Sequence, residues 1–396
     1  MAHSLLSRLL SIAFALALAS LAQTRRVSDA EVERVHKSAL LIDTHNDATS
    51  KTVDGFDIGK PSATGHTDLA RLRKGNVGAQ FFAAYVASSY VNGNRSAHRT
   101  LEMIDTIRRD IVERYPNDFT LALTAADIER AHRDGKIAAL IGIEGGHAIE
   151  DSLRLLRDYY ALGVRYVTLT HVNTNGWADS SGDIDKTGVA HHNGLTDFGK
   201  EVVREMNRLG MMVDISHVAD KTFYDALEVS TAPVFASHSS CRALASAGRN
   251  MTDDMIRALA NKGGVIDINF SCGFLSQKSA DAEKAIMPKI LAARNAEDPA
   301  LVAEYRKSVQ PETLEDVVEH IDHAVKIAGV EAVGLGSDFD GIMCAPKDLD
   351  DVSKFPNLTR ALLEKGYSEQ DIRKIYGGNV LRVMRAVESR ARAERK

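Results

Sequence analysis

Short apolar, β-branched runs recur along the chain, each followed by a stretch with helical spacing of its apolar positions. The runs are "ALLIDTH" (39–45), "AQFFAAYV" (79–86), "AALIGIEG" (138–145), "RYVTLTH" (165–171), "MMVDISH" (211–217), "PVFASH" (233–238), "GGVIDINF" (263–270) and "AVGLGSD" (332–338). Between them lie amphipathic segments such as "SAHRTLEMIDTIRRDIVERY" and "TDFGKEVVREMNRLG", the second with Thr196 placed as an N-cap and Gly210 as a stop. Near-continuous apolar strands alternating with helices predict a parallel sheet covered by helices on its faces. Eight such units predict a single (β/α)8 barrel of the TIM type. No glycine-rich phosphate loop follows the first run, which argues against an open dinucleotide-binding sheet.

The chain has no sharp break in composition, so one domain is expected over residues 23–396. The long charged stretch at roughly 272–310 reads as a lid or wall on the strand-end side. The segment "SEQDIRKIYGGNVLRVMRAV" reads as a closing helix pair outside the barrel. Residues 1–22 have the pattern of a secretory signal peptide: a lone Arg8, an apolar run, and small residues Ser20 and Ala22. That predicts cleavage after Ala22, a secreted or periplasmic protein, and no membrane anchor afterwards. At 44% hydrophobic and 26% charged residues with a net charge of −5, the chain is an ordinary globular protein without a nucleic-acid-binding footprint. Cys241, Cys272 and Cys344 are too few for a disulfide scaffold and match no structural zinc spacing, so core thiols with at most one disulfide are expected.

The chemistry is concentrated where the runs end. His45 and Asp47, Glu144, His171, His217, His238 and Asp338 all fall at strand ends. In a parallel barrel those ends share one face, the one where enzymes of this architecture carry their sites. Four histidines and three carboxylates form a mixed nitrogen–oxygen set suited to zinc and other divalent transition metals. The set is larger than one catalytic ion needs, so two ions sharing a carboxylate and a hydroxide are expected. Glu144 is the natural bridge, since a carboxylate offers two oxygens. His45 and Asp47, two apart, point the same way and can share one ion; His217 and His238 would hold the other. Of His171 and Asp338, one would steady an oxyanion and one would shuttle a proton.

The motifs "IDTHND", "GIEGGH", "LTHVNTNGWADS", "LTDFGKEVVREMNRLGMMVDISHV", "FASHSS", "SAGRN", "GLGSDFDG" and "GGNVLRV" run in order over nearly the whole chain. In these the chain resembles the membrane (renal) dipeptidase family of amidohydrolase-type metal-dependent hydrolases. The resemblance implies two Zn2+ ions, hydrolysis of dipeptides, including those with a C-terminal D-residue, and a homodimer. It assigns His45, Asp47 and Glu144 to one ion and Glu144, His217 and His238 to the other. It implies that His171 polarises the scissile carbonyl, that Asp338 is the general acid/base, and that Arg249 binds the substrate carboxylate. Asp340, two residues beyond Asp338, competes for the acid/base role. The loops after the first and seventh runs cannot be matched to the family, which leaves side-chain preference open. A lactonase, an N-acyl-amino-acid deacylase and a non-catalytic metal-dependent binding protein are the competing readings.

Other histidines and Trp177 have plainer readings. The pair His191 and His192 reads as a solvated loop. His147 reads as either a helper to a ligand or a local hydrogen-bonder, and Trp177 as either pocket wall or core. His320 and His323, three apart on a helix, read as solvent-exposed.

Overall fold

The computed structural model describes residues 25–292 and 299–394, so the signal-peptide segment lies outside the described residues. Nine parallel strands form one sheet: β1 (Leu41–Asn46), β2 (Val77–Tyr85), β3 (Phe119–Leu121), β4 (Ile137–Glu144), β5 (Val164–Thr168), β6 (Met212–Asp214), β7 (Phe235–Ser239), β8 (Val265–Ile268) and β9 (Val333–Leu335). Eight of them follow one another as β1-β2-β4-β5-β6-β7-β8-β9, and a bridge between Asn46 and Phe339 joins the last to the first. These eight are the predicted runs, curled into a barrel.

The ninth strand, β3, was not expected. It pairs with Ile137–Ala139 at the start of β4, ahead of the point at Ile141 where β5 takes over that edge. Its three residues are too few to show an alternation pattern. Every residue of β1 and of β4 is buried, as expected for strands covered on both faces.

Capping explains where the covering helices begin. The hydroxyl of Thr196 accepts the Gly199 N–H at 3.2 Å, and Gly210 ends that helix at φ 89°. The segment after β2 is helical from Ser96, with a π turn at Ile107–Glu113.

Inside the barrel, the buried Tyr166 ring crosses toward β4. A Cβ on Gly142 would lie 1.9 Å from that ring, so glycine is required there. Ile42, Phe81, Leu140, Tyr166, Met212, Phe235 and Val265 share one apolar cluster with Val380, Val383, Met384 and Val387 of the helix Asn379–Glu394. The tail therefore differs from the expected helix pair. Glu369–Arg373, a π turn at Lys374–Gly378 and Asn379–Glu394 run on without a loop. The turn presses on the start of β1, where a Cβ on Gly377 would lie 2.5 Å from the Leu40 carbonyl.

The stretch after β8 forms helices Cys272–Leu275, Gln277–Ala292 and Pro299–Ser308. It has a small core of its own, in which Ile286, Ile290, Tyr305 and Val309 pack with Cys272 and Cys344. Those cysteines form a disulfide, which ties this wall to the loop after β9, while Cys241 is free and buried.

Candidate metal centre

The strand ends turn sharply to bring their side chains inward. His217 and Asp338 adopt the left-handed region at φ 68° and 61°, a conformation that costs a β-branched or bulky residue energy and recurs at functional sites. Gly145, directly after Glu144, has φ 109°. The barrel seam adds the last pieces. The Asp338 N–H donates to the His45 carbonyl at 3.1 Å, and the Asp47 N–H donates to the Phe339 carbonyl at 2.8 Å.

Glu144 lies at the middle. Its Oε1 is 2.9 Å from His217 Nε2 and 3.3 Å from His238 Nε2, and those two nitrogens are 3.0 Å apart. Its Oε2 is 3.5 Å from His45 Nε2, which is 3.2 Å from Asp47 Oδ2. Ligands about 2.0–2.1 Å from a tetrahedral zinc ion stand roughly 3.3 Å from one another, so Glu144, His217 and His238 form a triplet with the spacing of ligands around an ion, and in the other triplet His45 stands at about that spacing from both Glu144 and Asp47. His171 Nε2 is 3.7 Å from Glu144 Oε1, close enough to group with Glu144 and His217, and Asp338 groups with His45 and Asp47. His45 Nε2 and Asp47 Oδ2 are buried without a hydrogen-bond partner, which a cation between them would supply. The residues fit one or two divalent ions.

Electrostatics divides the histidines: burial opposes charge on His45, yet Tyr166, Glu144 and Asp47 hold it well above the usual imidazole range. Burial, together with nearby Arg249, holds His217 and His238 well below the usual imidazole range, so they are neutral and free to ligate. Burial opposes charge on Glu144, yet His45, His171 and hydrogen bonds with His217 and His238 hold its carboxyl well below the usual range. Burial also pushes Asp338 up to about 8, reinforced by Asp47 and Glu144.

On the open side, Arg249 donates to the His238 carbonyl at 2.8 Å and to Ser239 Oγ at 3.1 Å, and its buried Nε has no partner. Its guanidinium lies 5.4 Å over the Phe274 ring. His171 packs edge-on against Tyr85, with ring centroids 4.9 Å apart, and its Nδ1 has no partner. Asp338 and Asp340 differ. Asn269 Nδ2 donates to Asp338 Oδ2 at 2.8 Å, whereas Asp340 is tied up by Lys51 Nζ and the His66 N–H, both at 2.9 Å. A cleft of about 540 Å3 opens on the loops after β2, β4 and β5, lined among others by His147, Asn173 and His192.

Several residues set aside from sequence find plain explanations. His192 Nε2 meets the Asn175 carbonyl at 2.9 Å, and His191 lies 3.8 Å from Asp179. His147 is buried and bonds the Val86 carbonyl at 2.9 Å; Trp177 is core. His320 corrects the expectation of exposure. It is fully buried, accepting the Cys241 N–H at 3.0 Å and donating to the Leu275 carbonyl at 2.9 Å, because its helix lies under the wall. Sequence reasoning missed Tyr166 and Ser237, which contact His45 and His238 from inside strands, Asp214, which holds Ser237, and Asn269, which contacts Asp338 from just beyond β8. A buried polar residue between apolar ones, as in "MVDIS" or "VFASH", was the available signal.

A buried histidine–carboxylate cluster at the strand ends of a parallel barrel defines a metal-dependent hydrolase. The sequence model of the membrane dipeptidase family (peptidase family M19) matches residues 29–396, and the chain belongs to that family. An uncharacterized dipeptidase of Schizosaccharomyces pombe is 38% identical over 387 residues, covering 93% of this chain and 85% of its own. The probable dipeptidase PvdM of Pseudomonas aeruginosa superposes with a TM-score of 0.78 at 26% identity, over 91% of this chain and 98% of its own. A metallo peptidase of Rhodobacter sphaeroides, liganded with a phosphinate mimic of the dipeptide L-Ala-D-Ala, gives 0.73 at 26% identity, over 88% and 99%. The chain is a metal-dependent enzyme acting on small peptide-like substrates. Among the described residues no helix is long and apolar enough to cross a membrane.

Proposed function

We propose that the protein is a secreted zinc dipeptidase with two ions per chain, cleaving dipeptides that include those ending in a D-residue. The observation that carries this reading is the division of labour at Glu144: Oε1 faces His217 and His238 while Oε2 faces His45, which in turn meets Asp47. The Rhodobacter relative's phosphinate ligand supports the substrate class. Bound ions would supply Lewis acidity and an activated water at neutral pH.

The chain's own residues do the rest. Arg249 takes the substrate's C-terminal carboxylate; its guanidinium is already oriented by the His238 carbonyl and Ser239, and its Nε is unused. His171, on the rim beside Glu144, faces the carbonyl oxygen as negative charge grows there. Asp338 takes the proton of the attacking water and delivers it to the leaving amine, with Asn269 fixing one of its oxygens. A panel of L,L- and L,D-dipeptides, their amides, N-acyl amino acids and lactones, assayed with and without chelator, tests the reading. Hydrolysis of free dipeptides that chelator abolishes is expected. Turnover confined to N-acyl amino acids or lactones would overturn it.

A further inference from the structure

Two of the histidines facing Glu144 are braced from behind by hydroxyl groups, and the hydrogen-bond directions can be worked out one proton at a time. Tyr166 Oη lies 2.8 Å from His45 Nδ1 and 3.2 Å from the Thr44 carbonyl. A carbonyl only accepts, so the single phenolic proton goes to Thr44. The Tyr166 oxygen must then accept from His45, which puts the imidazole proton on Nδ1 and leaves Nε2 with a bare lone pair.

The other relay is longer. Ser237 Oγ lies 2.7 Å from His238 Nδ1 and 2.6 Å from Asp214 Oδ2, with Ser216 Oγ a distant third at 3.5 Å. The carboxylate takes the serine proton, being both nearer and charged. Ser237 then accepts from His238 Nδ1–H, and His238 Nε2 is bare toward Glu144. Asp214 is itself fixed by four donors: the Ser216 and Ser237 N–H groups on Oδ1, at 3.1 and 2.8 Å, and the Thr168 and Ser237 hydroxyls on Oδ2, at 2.5 and 2.6 Å. All the groups named are fully or almost fully buried, so water does not compete for these bonds.

We infer that Tyr166 and the Asp214–Ser237 pair are positioning residues that lock His45 and His238 in the tautomer able to bind metal through Nε2. Each relay serves one of the two triplets around Glu144. This rests on the binuclear reading above. It goes further by giving three residues with no contact to the ions a defined effect on how tightly they are held, in line with the general weight of such outer partners.

Asp214→Asn is the informative change, because it keeps the shape and reverses the relay. The amide oxygen is required by the two backbone N–H donors on Oδ1, which leaves the amide nitrogen facing Thr168 and Ser237. That nitrogen donates to Ser237, whose own proton then turns to His238 Nδ1 at 2.7 Å in preference to Ser216 Oγ at 3.5 Å and drives the imidazole proton onto Nε2, where the ion would bind. A merely structural role predicts a mild effect for so conservative a change.

The experiment strips the purified protein with chelator and titrates zinc back against a chromophoric competitor, alongside thermal melts of the metal-free forms. Wild type is expected to take up two ions. Tyr166→Phe should weaken one of them about 10- to 100-fold, Ser237→Ala should weaken the other by a similar factor, and Asp214→Asn should weaken that same ion at least as much as Ser237→Ala. The metal-free Asp214→Asn protein should melt close to wild type. Wild-type affinity for both ions in Asp214→Asn, or in both Tyr166→Phe and Ser237→Ala, would overturn the relays while leaving the binuclear reading intact. Failure of the wild type to bind two ions would instead remove the reading on which they rest.

Discussion

The Asp338 N–H donates to the His45 carbonyl across the barrel seam at 3.1 Å, although the two residues lie at opposite ends of the chain. The same seam carries the Asp47 N–H to Phe339 bond at 2.8 Å. Closing the barrel and assembling the His45–Asp47–Asp338 group are therefore one event. A metal ion would find no comparable site in the unfolded chain, so binding should act directly on stability.

Metal content and melting temperature should move together. Two divalent ions per chain are expected after reconstitution, and chelator should lower the melting temperature. Free metal at a thousand times Kd adds about 4 kcal/mol of stability for each site. His217→Ala removes a direct ligand and should lose one ion, part of the thermal shift and activity together. Plasma-emission metal analysis with calorimetry measures all three. A single ion per chain in the reconstituted wild type would contradict the binuclear centre.

The two carboxylates after β9 should separate cleanly. Asp338 has one oxygen held by Asn269 and is pushed up to about 8 by burial, while Asp340 is engaged by Lys51 and the His66 backbone. Asp338→Asn should keep both ions and lose activity by on the order of 10²–10⁴, the range for a missing general acid/base. Asp340→Asn should lose far less turnover and show a lower melting temperature instead. If Asp340→Asn kills turnover with ions retained and Asp338→Asn does not, the roles are exchanged.

Much of this was legible because a parallel barrel turns strand order into spatial order. His45, Glu144, His217 and His238 are up to 193 residues apart, yet an apolar run ending in an ionisable residue was enough to place each on one rim. What sequence could not show is direction. Ser237 and Asp214 look like ordinary strand residues until the Ser237 bond to His238, and the Asp214 bond to Ser237 behind it, are seen. His320 misled because helical spacing tells which residues share a face, not whether another element covers that face; here the wall after β8 does. The β3 strand and the Cys272–Cys344 pairing depend on tertiary contacts that no local pattern encodes.

Arg249 should act on recognition of the free carboxylate. Wild type should prefer a dipeptide over its amide by about 1.5–3 kcal/mol in kcat/KM, the worth of a hydrogen bond to a charged group. Arg249→Lys keeps the charge but loses the fork, and Arg249→Ala loses both, so the acid-over-amide preference should shrink in that order. Because Arg249 also holds the His238 carbonyl, the comparison between acid and amide within each variant is the useful quantity. Equal turnover of acid and amide by wild type would remove the clamp.

The last prediction lies away from the metal centre. Burial pushes His320 and His36 down to about 4, from an ordinary value of 6.5. A histidine whose folded pKa is depressed binds its proton more readily in the unfolded chain. Stability from keeping it neutral is therefore fully present above about pH 6.5, falls as pH drops, and is gone near pH 4. At 1.36 kcal/mol per pKa unit each residue contributes roughly 3 kcal/mol to that loss. Urea unfolding of the chelator-stripped protein should show stability falling steeply between pH 7 and 4.5. In His320→Asn, whose amide can still accept the Cys241 N–H, the fall should be shallower by about 2–3 kcal/mol, with some stability lost at pH 7. Parallel pH profiles for wild type and variant would show that His320 does not carry this share of the acid sensitivity.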